Sequence, residues 1–264
     1  MATTELIARA PAGRPLGGTD DAIAVEGLSK TYASGTEAVR GISFRVAAGE
    51  IYGMLGPNGA GKSTTIGMLG TLVRPTAGRA TVAGFDIVSE AKDVRRQIGF
   101  AMQEIGLDDL ATGHEFLVLQ GRLHGLTRRE AGERAEALLE SLDLAQAASR
   151  RIGEYSGGMK RRLDLASALI HRPPIVFLDE PTEGLDPRAR VAIWEMLERL
   201  SNEGSTIVLT THYMEEADRV CDRIGIVDRG EIVVEGTPAE LKASFGAPTL
   251  EDVYLRMTGR SFDA

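Results

Sequence analysis

Short runs of apolar residues alternate along this chain with stretches in which apolar side chains recur every three or four positions. The short runs predict strands at residues 23–28, 42–46, 51–55, 80–82, 98–102, 175–178, 206–210, 223–227 and 232–235. The longer period predicts helices at 64–72, 115–124, 128–142 and from Pro187 to about Glu203. Such alternation defines an α/β fold with a mostly parallel sheet. Between about 104 and 172 the strand signals thin out, so a helical subdomain is expected there, inserted in the α/β core. Boundary chemistry agrees with the pattern. Thr127 and Glu130 have the spacing of a capping box, and Asp186-Pro187 reads as an N-cap followed by the first helical residue.

Composition narrows the class. The chain has 264 residues, against ~150 for a typical domain, which points to one large domain or two intimate ones. Lys and Arg number 30 against 38 Asp and Glu, giving a net charge of −8, and a general nucleic-acid binder would instead present a basic surface. One cysteine, Cys221, excludes an internal disulfide framework and suits a reducing compartment. No apolar run approaches the ~18 residues of a membrane span. Glu5, Arg9 and Pro11 interrupt any signal-peptide core, and residues 1–21 are expected to form a flexible N-terminal arm. Glycine is abundant, 31 residues, so some part of the fold needs backbone without side chains.

That need is met first at Gly56-Pro57-Asn58-Gly59-Ala60-Gly61-Lys62-Ser63-Thr64, which satisfies G-x-x-x-x-G-K-[ST] between a predicted strand and a predicted helix. Glycines let backbone N–H groups turn inward around phosphate oxygens, and the following helix directs its positive end to the same place. Lys62 adds a cation for the terminal phosphates, and the Ser63 hydroxyl can ligate Mg²⁺. The stretch 175–178 then ends in Asp179-Glu180, so a buried strand delivers two carboxylates to the sheet edge where α/β proteins bind ligands. Asp179 is placed to hold Mg²⁺ through water, and Glu180 to polarise an attacking water beside the γ-phosphate. An acidic turn after a core strand is the plainer reading of this pair alone; beside a phosphate loop it gives way to a nucleotide site.

A third signal, Tyr155-Ser156-Gly157-Gly158-Met159-Lys160-Arg161-Arg162, begins a helix and places Ser156 23 residues before Asp179 (179 − 156). Together with the phosphate loop and Asp179-Glu180, it resembles the signature sequence of the ATP-binding cassette (ABC) ATPases, and the resemblance covers roughly residues 22–240. It implies the ABC ATPase fold: a phosphate-loop NTPase core, an antiparallel β subdomain and an inserted helical subdomain. The implied division is an ATPase domain over 22–246 and a short C-terminal helical tail over 247–264. Tyr155 and Met159 stand where the common signature has Leu and Gln. The YSGGM form, the Thr112–Leu117 stretch TGHEFL, the YMEEA that begins at Tyr213 and the TLEDVYL that begins at Thr249 are similar to the daunorubicin/doxorubicin-resistance branch of exporter ATPases. Only 242–248 precede that last motif, so a regulatory extension there is expected to be absent or reduced.

The resemblance also implies roles. Tyr32 corresponds to the aromatic that stacks on adenine, and Gln103 to the residue that touches Mg²⁺ or the attacking water. Asp186 matches the loop that contacts the opposite subunit. His212, 33 residues past Asp179 (212 − 179), matches the histidine that bonds the γ-phosphate and orders Glu180. Ser156, Gly157 and Gly158 of one subunit would cap the γ-phosphate of ATP held by Gly61, Lys62 and Ser63 of another, in a head-to-tail dimer. Implied partners are thus a second ATPase subunit and a separate transmembrane permease docking near 104–126, with Glu115 as a candidate contact. Membrane contact would come only through that permease, at the cytoplasmic face, and Phe116 and Leu117 are expected in the helix core. The basic cluster Lys160-Arg161-Arg162 is expected on a solvated helix face. The alternative, a non-transport ABC ATPase acting on nucleic acid or ribosomes, predicts a second cassette, a long coiled coil, zinc-type cysteines or a basic face. A metabolite kinase would lack counterparts of Ser156 and His212.

Overall fold

The computed structural model describes residues 21–103 and 106–259. The expected N-terminal arm lies outside these residues, save Asp21, which opens the first strand. Chain order begins with β1 (Asp21–Thr31), β2 (Glu37–Ala47), β3 (Ile51–Leu55), α1 (Lys62–Leu69), β4 (Ala77–Val82), β5 (Phe85–Asp86), α2 (Ala91–Gln97) and β6 (Ile98–Ala101). Three helices follow without an intervening strand, α3 (Gly113–Leu123), α4 (Arg128–Ser141) and α5 (Gly157–Leu169). The chain then returns through β7 (Ile175–Asp179), α6 (Pro187–Asn202), β8 (Thr206–Thr211), α7 (Met214–Val220), β9 (Arg223–Asp228) and β10 (Glu231–Gly236), and ends in α8 (Pro238–Ser244) and α9 (Leu250–Thr258).

Two sheets form. An antiparallel one has the order β2-β1-β4-β5, and a larger one has the order β10-β9-β3-β8-β7-β6, in which only β10 runs antiparallel to its neighbour. Strands β3, β7 and β8 are buried at every position, which explains why they read as unbroken apolar runs: both faces of this sheet are covered. Side chains alternate between the two sides. Ile51, Leu55, Val176 and Leu178 pack with the helices, whereas Tyr52, Met54, Ile175 and Phe177 pack with α1 and the antiparallel sheet. Phe44 stacks on Tyr52 with centroids 5.1 Å apart, joining the sheets.

The order β3-β8-β7 matters most for function. These parallel strands carry the phosphate loop, His212 and the Asp179-Glu180 pair beyond their carboxyl ends, so residues far apart in sequence arrive at one edge. Helix ends follow local chemistry. Thr127 and Glu130 make the expected capping box, and Thr112–Glu115 and Thr237–Glu240 make two more. Asp186 accepts from the Ala189 N–H at 3.0 Å with Pro187 in the first turn of α6.

Candidate active site

The phosphate loop wraps the start of α1. Gly61 lies at φ 106°, and a Cβ there would sit 2.3 Å from the Ala38 carbonyl oxygen; at Gly56 it would sit 2.2 Å from that of Val227. Neither position admits a side chain. Lys62 is 3% exposed, donates from Nζ to the carbonyls of Gly56 (2.6 Å) and Pro57 (3.0 Å), and lies 3.6 Å from Glu180 Oε1. The lysine is thus held along its own loop.

Ser63 Oγ donates to Asp179 Oδ1 at 3.0 Å, and Thr210 Oγ1 donates to the same oxygen at 2.5 Å. Glu180, next along the chain, has φ 50°, a left-handed backbone that non-glycine residues rarely adopt. Its N–H donates to both the carbonyl and the hydroxyl of Thr210, each at 3.1 Å, and its Oε2 lies 3.0 Å from His212 Nδ1. Burial sets the electrostatics. It pushes the Glu180 carboxyl above its ordinary value while Lys62 and then His212 pull it back, and it holds Lys62 below its ordinary value while Glu180 opposes. A dry carboxylate flanked by a cation and an imidazole is suited to orienting a water and handling its proton.

Of the other expected residues, some reach this centre and some do not. Tyr32 is exposed, with its hydroxyl 3.3 Å from Thr64 Oγ1, so its ring stands beside the loop's helical end. Gln103 donates from Nε2 to Glu183 at 2.8 Å, on the turn just past Glu180. Ser156 caps α5, accepting from the Met159 N–H at 3.3 Å. Among the described residues no hydrogen bond or ion pair joins Ser156, Gly157, Gly158 or Asp186 to the loop 56–64 of the same chain.

The basic cluster departs from expectation. Arg161 is buried, donating to the carbonyls of Met102, Asp179, Pro181 (3.2 Å) and Glu180 (2.8 Å). Lys160 pairs with Asp109 at 2.7 Å, and Arg162 bonds the Leu142 carbonyl at 2.8 Å. Spacing had no means of marking which of three consecutive cations turns inward. Thr210 was also missed, because threonine is ordinary in a strand; its place opposite Asp179 appears only in the register of β7 and β8. Glu115 serves the capping box of α3, while Phe116 and Leu117 are buried in the helix core as expected.

A buried carboxylate, a loop-held lysine and a strand-end histidine meet on a sheet topology suited to binding and hydrolysing a nucleotide. The ABC transporter family model matches residues 39–183. The chain is 49% identical over 241 residues to a daunorubicin resistance ATP-binding protein of Streptomyces coeruleorubidus, covering 91% of this chain and 76% of that protein. It is 50% identical to a doxorubicin resistance ATP-binding protein of Mycobacterium tuberculosis, covering 86% of this chain and 69% of that protein. Among solved structures, an ATP-binding subunit of an ABC transporter superposes with TM-score 0.82 at 31% identity, covering 89% of this chain and 99% of that one. A dimeric ATP-binding cassette in a post-hydrolysis state bound to ADP and Pi superposes with TM-score 0.76 at 29% identity, covering 81% and 98%. The chain belongs to the ABC transporter family, as an ATP-hydrolysing subunit.

Proposed function

We propose that the chain powers efflux of a drug or other small molecule through a separate membrane permease, paired head to tail with a second ATPase subunit. The observation that carries this reading is the meeting of Lys62, Ser63, Asp179, Glu180 and His212 at the carboxyl ends of β3, β7 and β8. In it, backbone N–H groups of 56–64 cradle the phosphates, Lys62 leaves its loop carbonyls for the terminal phosphates, and Tyr32 stacks on adenine. Glu180 polarises the attacking water while His212 fixes the carboxylate and reaches the γ-phosphate.

Ser63 and Asp179 fit Mg²⁺: both offer hard oxygen donors, already 3.0 Å apart. They would hold the ion with Gln103, Asp179 through water. Mg²⁺, when bound, neutralises charge on the transferring phosphoryl oxygens.

Ser156, Gly157 and Gly158 have no part in their own site, so they serve the partner subunit's γ-phosphate, and Asp186 meets that subunit. The helices between β6 and β7 form the lobe that takes the permease. Leu110, Leu119 and Leu123 are exposed there, 77%, 56% and 72%, and Leu119 and Leu123 stand one turn apart on α3, apolar side chains that suit a membrane partner's loop. Among the described residues no helix is long and apolar enough to cross a membrane; in this reading the permease contact is what holds the chain at the cytoplasmic face. No observation favours action on nucleic acid.

Glu180→Gln tests the reading. ATP binding stays near its parent value, turnover falls about 10²–10⁴-fold, and ATP-bound dimers accumulate by light scattering. Full turnover in that variant removes Glu180 from its role. Lys62→Ala weakens nucleotide binding itself, and unchanged affinity by calorimetry would contradict the lysine's assignment.

A further inference from the structure

Arg161 lies one turn into α5, the helix that starts with Ser156 as its cap. Its guanidinium gathers the carbonyls of Asp179, Glu180 and Pro181, three consecutive residues leaving β7, and that of Met102, the residue after β6. Asp164, one helical turn further on, is half-buried and lies 3.8 Å from it. Such a planar fork is suited to fixing several acceptors at once, and a lysine is not.

The middle carbonyl belongs to Glu180. That residue's φ of 50° is unfavourable for any side chain bearing a Cβ, and such a conformation persists only where its surroundings over-determine it. Thr210 bonds its N–H from one side, and Arg161 bonds its carbonyl from the other. With both peptide groups fixed, the Glu180 side chain emerges toward Lys62 and His212.

We infer that Arg161 is a positioning residue for ATP hydrolysis, holding the Glu180 backbone in the left-handed conformation that aims its carboxylate. It does so from the helix whose first residues face the partner's nucleotide, and through Met102 it ties that carboxylate to the segment bearing Gln103. The inference rests on the reading of Glu180 as the residue that polarises water. Among the described residues no hydrogen bond or ion pair joins Arg161 to the loop 56–64, so its effect is expected in turnover rather than in ATP affinity.

The experiment compares R161Q and R161K with the parent chain, measuring steady-state hydrolysis, ATP affinity and dimers trapped by ATP. R161Q is expected to lose about tenfold or more in kcat while KM for ATP moves less than about threefold. ATP-bound dimers then persist, as in E180Q. R161K keeps the charge without the fork and recovers only part of kcat. Turnover of R161Q within about twofold of the parent overturns the inference. So does a loss of kcat matched by equal losses of affinity and dimer, which would make Arg161 a brace for α5 alone. Should R161Q not fold, R161K decides: parental kcat overturns the inference, and reduced kcat at unchanged KM supports it. Undiminished turnover in E180Q would strike the underlying reading of Glu180 and be visible separately.

Discussion

The Thr210 hydroxyl is fully buried and acts twice, donating to Asp179 and accepting the Glu180 N–H. Valine matches its shape and removes both interactions, leaving a buried N–H with the Thr210 carbonyl alone. Thr210→Val is therefore expected to keep the fold, lower kcat by about tenfold, and raise the Mg²⁺ concentration needed for half-maximal hydrolysis, since Asp179 then relies on Ser63 for orientation. A Mg²⁺ titration of ATP hydrolysis checks both effects. The contrast with Lys62 shows what can be read at this scale. Phosphate chemistry demands glycines, a lysine and a hydroxyl in unbroken succession, so the loop 56–64 announces itself. Thr210 and Arg161 act through tertiary register and through backbone carbonyls that any residue supplies, so nothing in their neighbourhood sets them apart.

Helix α3 meets the start of the signature segment through one close approach. Tyr155 donates its hydroxyl to the Ala147 carbonyl at 2.7 Å, and a Cβ on Gly113 would lie 2.3 Å from that hydroxyl. Gly113 and Tyr155 thus belong together, which gives a physical reason for tyrosine where the common signature has leucine. Gly113→Ala is expected to destabilise the protein by about 1–3 kcal/mol through overpacking, and Tyr155→Phe by about 1 kcal/mol through the lost hydrogen bond. In the double variant the clash with oxygen is gone, so the combined loss is smaller than the two added, as denaturant unfolding of all four proteins will show. The apolar runs of β3, β7 and β8 are covered on both faces and were found nearly to the residue. Strand β2 extends beyond the expected 42–46 to Glu37–Ala47, because its first half buries only Val39, too little for an apolar run, yet pairs with β1 across the ladder. Helices α2, α7 and α8 are seven residues each, about two turns, shorter than the window over which periodicity separates a helix from a loop.

Across the whole molecule, the helices between β6 and β7 join the sheet at a seam where two imidazoles stack. His124, just past α3, and His171, just past α5, have centroids 3.7 Å apart and nearly parallel rings, and His171 Nε2 lies 3.0 Å from the Ile98 carbonyl at the start of β6. Burial, then the proximity of His124, holds His171 down at about 4, against its ordinary 6.5; the Ile98 bond opposes this and Arg134 adds to it. The native protein therefore keeps this ring neutral at a pH where the unfolded chain charges it. Its contribution to stability is intact above pH 6.5, declines as pH falls toward 4, and declines no further below. The size is at most about 3 kcal/mol for a half-buried group. Asp164 works in the opposite sense, since burial raises its carboxyl to about 6 and the native state takes up its proton first on acidification. The parent curve alone thus mixes the two signs, and the difference between proteins isolates the histidine. In His171→Gln the amide can still donate to the Ile98 carbonyl but does not titrate, so its urea midpoint should fall less than the parent's between neutral pH and about pH 4. Parallel curves would mean that His171 is as readily protonated in the native protein as in the unfolded chain, and that the seam is indifferent to acid.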